Sequence, residues 1–135
     1  ASKSLPNIEV FKEQIKAYEE YLMVSGMELK DQMMNDFDYL LCVGEIFTLV
    51  AYGQLIIESA AIEAVDDDVL DQIFDFMVRD FSKFGLELYE KGLSTEPQQG
   101  ACLKMIKRPV VNNEKFEKVL KENVYALIDT YEMNP

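Results

Sequence analysis

The sequence predicts an all-α fold: a four-helix bundle of the up-down type with one additional short helix. Three observations predict it. Apolar residues recur at spacings of three and four along most of the chain, no stretch alternates apolar and polar residues as a half-buried strand does, and short breaks rich in Gly, Pro, Asp and Asn separate the periodic segments. With 135 residues, 49% of them hydrophobic, the chain has the size and apolar content for one core, so residues 1–135 read as a single helical domain.

In the first helix, Asn7 is placed after Leu5-Pro6 to act as the cap, and Ile8, Phe11, Ile15, Tyr18 and Leu22 make one apolar stripe with Lys and Glu between them. This helix either runs past Gly26 through Leu29 to Met33 or breaks at Gly26, since a single interior glycine costs only about 1 kcal/mol. A second helix spans Asp36 to about Ala64 and ends at Asp66-Asp67-Asp68, three acids that also cap the third helix and complement the positive end of its dipole. The third helix turns Val69, Ile73, Phe74, Met77, Phe81, Phe84 and Leu88 to one side and most of Asp75, Arg79, Lys83 and Glu90 to the other, with Gly92 as its stop.

GLSTEPQQG, residues 92–100, reads as a turn, and ACLKMIKR, residues 101–108, as a short helix halted by Pro109. Val110 and Val111 form an extended connector. Asn112 or Asn113 then caps a last helix with Phe116, Val119, Leu120, Val124, Leu127 and Tyr131 on one face.

Residues 40–60, LLCVGEIFTLVAYGQLIIESA, are the least polar stretch and are long enough to suggest a membrane span. Glu45 and Glu58 leave only residues 46–57 uncharged between them, Gln54 interrupts even these, and no Lys or Arg flanks either end, so no span is expected. Because its apolar residues spread widely around the helix, this segment is expected to be the most buried helix of the bundle. Gly44, Thr48 and Ala51 are small enough to let a neighbouring helix approach closely.

The formal net charge is −12, and from Asp31 to Asp75 there are eleven acids and no base. Such a surface repels phosphate backbones and anionic lipid, which disfavours nucleic acid as a partner. Cys42 and Cys102 sit among apolar neighbours as free thiols would, no disulfide framework is present, and the first 25 residues carry Lys and Glu where a signal peptide has an apolar core. A reducing, cytoplasmic setting is expected.

There is no histidine. Glu-x-x-His di-iron sites, His-based zinc sites and Ser-His or Cys-His nucleophiles are therefore excluded, and no phosphate-binding glycine loop is present. Among the remaining candidates, Glu45 and Glu58 fall on polar stripes (Asp38, Glu45, Tyr52, Ser59; Gln54, Glu58) with a route to water, and read as a solvated helix edge before a general base. Asp66 to Asp68 lack the glycine and ligand spacing of a calcium loop and read as a cap. Lys104, Lys107, Arg108, Lys115, Lys118 and Lys121 form a basic end, either a phosphate site or a set of charges answering the acids of the same fold. Met23, Met27, Met33 and Met34, near Tyr18 and Tyr21, suit either core filling or an adaptable protein contact. No catalytic, cofactor-binding or metal-binding residue is assigned.

From residue 70 the sequence LDQIFDFMVRDFSKFGLELYEK, followed from residue 102 by CLKMIKRPVVNNEKFEKVLKENVYALIDTYEMNP, resembles the C-terminal helical extension of bacterial acyl-CoA dehydrogenases. The resemblance is most specific from Cys102 to Pro135, looser over residues 36 to 64, and absent before Asn35. It implies that the chain is the C-terminal part of a longer FAD-dependent flavoprotein of fatty acid metabolism, an oxidoreductase that introduces an α,β double bond into an acyl-CoA and passes electrons to an electron-transfer flavoprotein. The catalytic glutamate, flavin contacts and acyl-CoA pocket of that family lie in the preceding core, so no residue here inherits a catalytic role and no cofactor is expected in this segment. The implied partner is the catalytic core of the same polypeptide or its dimer mate. The competing reading is a free-standing helical interaction module; a small helical enzyme using Glu45 or Glu58 is a third.

Overall fold

Six α-helices follow one another along residues 5–26, 28–91 and 95–128, the part of the chain that the computed structural model describes. They are α1 (Pro6–Ser25), α2 (Glu28–Asn35), α3 (Phe37–Glu63), α4 (Asp67–Tyr89), α5 (Glu96–Met105) and α6 (Asn113–Val119). A π turn over Leu120–Val124 and a 3-10 turn over Tyr125–Leu127 continue the last of these. No strand occurs among the described residues, and the architecture is the all-α helical bundle that the periodicity predicts.

Helix starts follow local capping chemistry. Asp36 accepts from the Tyr39 amide at 3.1 Å and opens α3, Asp66 accepts from Asp68 at 2.8 Å and opens α4, and Asn112 accepts from Lys115 at 3.1 Å and opens α6. The choice at Gly26 is also decided: α1 ends there, with Gly26 at φ +49°, a backbone conformation that side chains rarely tolerate.

Two boundary expectations are corrected. Asn7 does not cap α1. Pro6 takes the first helical position, where its missing N–H costs nothing, and Leu5 precedes it without a side-chain cap. Asn7 is buried instead: its side chain donates to the carbonyls of Asp71 and Val110 and accepts from the Val110 amide at 2.7 Å. Nor is residue 92–100 all turn, because Thr95 and Gln98 form a capping box that starts α5 at Glu96, with Pro97 in its first turn. The expected stop at Gly92 lies outside the described residues.

The core is built where α1, α4 and α5 meet, with α3 laid along α4. Phe11 of α1 stands edge-on to Phe74 and Phe81 of α4, with ring centroids 5.2 and 5.6 Å apart, and all three rings are buried. Polar side chains lock this centre. Gln14, fully buried, donates to the carbonyls of Val78 and Met105 and to Ser82 Oγ, while Ser82 bridges to the backbone of Lys107 at both its carbonyl and its amide. Gln98 of α5 reaches Ser25 of α1 and Gln32 of α2, and Tyr21 bonds Tyr39 across the α1–α3 boundary.

The short helix α5 fills a place in this core, with Ala101, Cys102 and Met105 buried. The last helix lies outside it: α6 meets α4 but has no buried residue, and Phe116, Val124 and Leu127 are each more than a third exposed, while Tyr131 is outside the described residues. A further correction concerns α3, which is not the most buried helix. Only Tyr39, Cys42, Val43, Ile46, Gly53 and Ala60 of its 27 residues are buried, whereas α4 buries nine in 23. Composition made α3 look central, but only one of its sides has neighbours.

Candidate functional site

The helix α3 is apolar on both sides and packed on one. Cys42, Ile46, Gly53 and Ala60 point inward, and at Gly53 the backbone comes so close to α1 that an added Cβ would lie 2.5 Å from the Phe11 ring. On the opposite side Phe37 is 70% exposed, Phe47 67%, Leu55 58% and Ile62 84%. Gly44, Thr48 and Ala51 lie between them at the surface, and nothing in the fold approaches within 4 Å of a Cβ built on Gly44.

Two apolar grooves border this face. One, of about 510 Å³, runs between α2 and the start of α3 and is lined by Leu29, Met33, Met34, Phe37 and Leu40. The other, of about 300 Å³, lies at the far end, where Tyr52, Leu55 and Ile56 meet Leu70 and Ile73 of α4. A third hollow, of about 500 Å³, is polar, walled by Asp38, Glu45, Glu87, Glu90 and Lys91 around the buried Cys42. Among the described residues no group of three or more His, Cys, Asp and Glu side chains is placed to hold a metal ion.

The carboxylates singled out from the sequence do not converge. Glu45 is exposed at the polar hollow, and Glu58 is exposed on the other flank, accepting from Gln54 Nε2 at 2.8 Å. The acidic turn is a cap whose Asp68 also meets the basic end: Lys118 Nζ donates to it at 2.9 Å and Lys115 lies at 3.8 Å. The Lys118 hydrogen bond holds the Asp68 carboxyl below its usual range, and the same bond raises Lys118. Lys104 and Lys107 pair with Glu20 and Glu13 of α1. Four of the six basic residues thus answer acids of the same fold.

The methionine and tyrosine group divides. Tyr18 and Tyr21 are buried, with Tyr18 donating to the Val43 carbonyl at 3.0 Å, and burial raises both phenols. Met23 and Met34 are 81% and 76% exposed, Met33 is half-buried beside the first groove, and Met27 is outside the described residues. Burial pushes the thiols of Cys42 and Cys102 up to about 12, which leaves both as neutral, inert core groups.

Reading the sequence missed the buried amides of Asn7, Gln14 and Gln98. The signal was there for Gln14, which stands within the apolar stripe between Phe11 and Tyr18, one turn from each; a polar residue in core phase needs a partner. These amides tie helices together through backbone groups and the side chains of Ser25, Gln32 and Ser82, so they act on structure. The bare apolar side of α3 with its two grooves is the surface most suited to a function, and its chemistry is that of a contact. Compared with protein-family models, curated proteins and solved structures, the chain matches none.

Proposed function

We propose that this chain is an accessory helical domain that works by protein contact, with no catalysis of its own, in a longer FAD-dependent acyl-CoA dehydrogenase. The observation that carries the contact role is the outer side of α3, where large apolar side chains stand more than half exposed along a helix whose other side is packed. Contiguous apolar surface beyond a few hundred Å² marks a site that another molecule covers. The parentage rests on the resemblance of residues 70–91 and 102–135. On that reading FAD, the acyl-CoA and the electron-transfer flavoprotein all meet the core, this domain holds none of them, and the setting is cytoplasmic.

The test has two parts. The coding frame upstream of residue 1 should encode a flavoenzyme core, and the joined protein should oxidise acyl-CoA with Glu45→Ala and Glu58→Ala leaving turnover largely intact. A frame with no such core removes the parent and leaves the free-standing module; a loss of about 100-fold in turnover with either alanine revives the carboxylate as a base. The isolated chain should stay colourless after mixing with FAD and desalting, and stoichiometric yellow protein would contradict the assignment.

One observation favours a second reading: α3 is long and apolar enough to cross a bilayer, and 22% of its most apolar window is buried. Against it stand Asp38, Glu45, Glu58 and Glu63 on that helix and the lack of any Lys or Arg from residue 31 to 78 to anchor it. Flotation with lipid vesicles separates the two readings, the contact role predicting that the chain stays in the soluble fraction.

A further inference from the structure

Resting on the contact role just proposed, we infer that the outer face of α3 is covered by the same face of a second copy of this chain, the two helices running antiparallel. The positions that point outward begin at Phe37 and continue at 41, 44, 48, 51, 55, 58 and 62, steps of four and three in strict alternation. That is the repeat by which one helix seats on another, knob into hole. It is distinct from the inward set of Cys42, Ile46, Gly53 and Ala60, so α3 carries two seams and the fold uses one.

The outer seam matches itself better in one direction than in the other. Set antiparallel about a point between residues 49 and 50, close to the middle of Phe37–Glu63, it places Leu55 of each copy over Gly44 of the other and Thr48 against Ala51. The end layers pair Phe37 with Ile62, and the layers inside them set the Glu58 side chain alongside Leu41, where the carboxylate keeps its route to water at the edge of the seam. A large side chain thus meets the smallest one, and the space beyond Gly44 is open in the single chain. A parallel pairing sets Gly44 against Gly44, which leaves a gap, and Glu58 against Glu58, which sets like charges together. Of the four acids of α3 only Glu58 lies in the seam, and its carboxylate is exposed and turned to Gln54.

The area is of the size a stable contact needs once the flanks of the seam are included. At about 200 Å² for a fully exposed large residue, the exposed fractions of the seam residues Phe37, Leu41, Leu55 and Ile62 amount to roughly 520 Å², and the flanking Leu40, Phe47 and Tyr52 bring the total to roughly 850 Å². One side of a standard stable interface buries about 800 Å².

Sedimentation equilibrium of the full 135-residue chain tests the inference. The expected mass is twice the 15.5 kDa of one chain at micromolar concentration. Gly44→Leu, whose side chain enters open space in the monomer, should leave the monomer fold at least as stable, since leucine is the better helix former, but weaken the dimer by at least about 100-fold, since the clash occurs in both symmetric layers. Adding Leu55→Ala to Gly44→Leu reverses the sizes in that layer and should restore the dimer to within about tenfold, because complementary volumes are what the layer needs. A chain that is monomeric at all concentrations overturns the inference, as does a dimer indifferent to Gly44→Leu. Monomers that float with phosphatidylcholine vesicles overturn it in favour of lipid. Monomers that instead bind a separately expressed flavoenzyme core overturn the self-pairing while sustaining the contact role.

Discussion

Gly53→Ala sets two effects of similar size against each other. In a helix interior, replacing Gly with Ala stabilises by about 1 kcal/mol through backbone entropy. At Gly53, however, the new methyl would sit 2.5 Å from Phe11 Cε1 and 2.9 Å from Cζ. The ring cannot yield cheaply, being buried and held edge-on by Phe74 and Phe81. Forcing a methyl into a packed core costs about 1 to 3 kcal/mol, so the clash wins and the net loss is about 1 kcal/mol. Gly100→Ala is the internal control, since it lies within α5 with nothing within 4 Å of its Cβ and should gain up to about 1 kcal/mol. The two variants should then differ by about 2 kcal/mol, or roughly 6 to 10 °C in melting temperature for a chain of this size. Guanidinium denaturation followed by circular dichroism measures both. If Gly53→Ala is as stable as Gly100→Ala, the close approach of α1 to α3 is wrong. A smaller cost of Gly53→Ala in a Phe11→Leu background would assign the clash to that ring.

Gln14→Glu keeps shape while replacing a donor to the Val78 and Met105 carbonyls with an acceptor, and burying it unpaired should cost about 3 kcal/mol or more in denaturant midpoint terms; a loss below about 1 kcal/mol would refute the role given to that amide. Asp68 should titrate below an ordinary aspartate by carbon-detected NMR. Its folded pKa is depressed, so its pairing with Lys118 contributes above the unfolded value of about 4 and is lost as pH falls through the folded one; Lys118→Ala should raise it toward the ordinary range, with Lys115 still holding it down in part. Cys42 and Cys102, pushed up to about 12 by burial, should resist alkylation in the native protein at mildly alkaline pH and react together on unfolding, and rapid native labelling of either would place it at the surface.

Much of the fold was legible residue by residue. The caps at Asp36, Asp66 and Asn112 are settled between neighbours within a turn of chain, and three helices start where those residues stand, whereas the sequence left open whether the first helix breaks at Gly26, where the structure ends it at positive φ. The all-α class follows from the three-and-four spacing for the same reason, since a helix face is a local property. What needed the tertiary structure is everything that depends on which faces meet. Asn7 has the chemistry of a cap but is claimed by Asp71 and Val110, 64 and 103 residues away in sequence, and no local rule reaches so far. The capping box that opens α5 was readable at Thr95 and Gln98, yet that α5 enters the core while α6 stays outside is a matter of packing. The contact face is the clearest case. Gly44, Thr48 and Ala51 could be named from the sequence as places for close approach, but an apolar helix looks the same whether neighbours cover two sides or one, and only the position of α4 against α3 leaves that side bare.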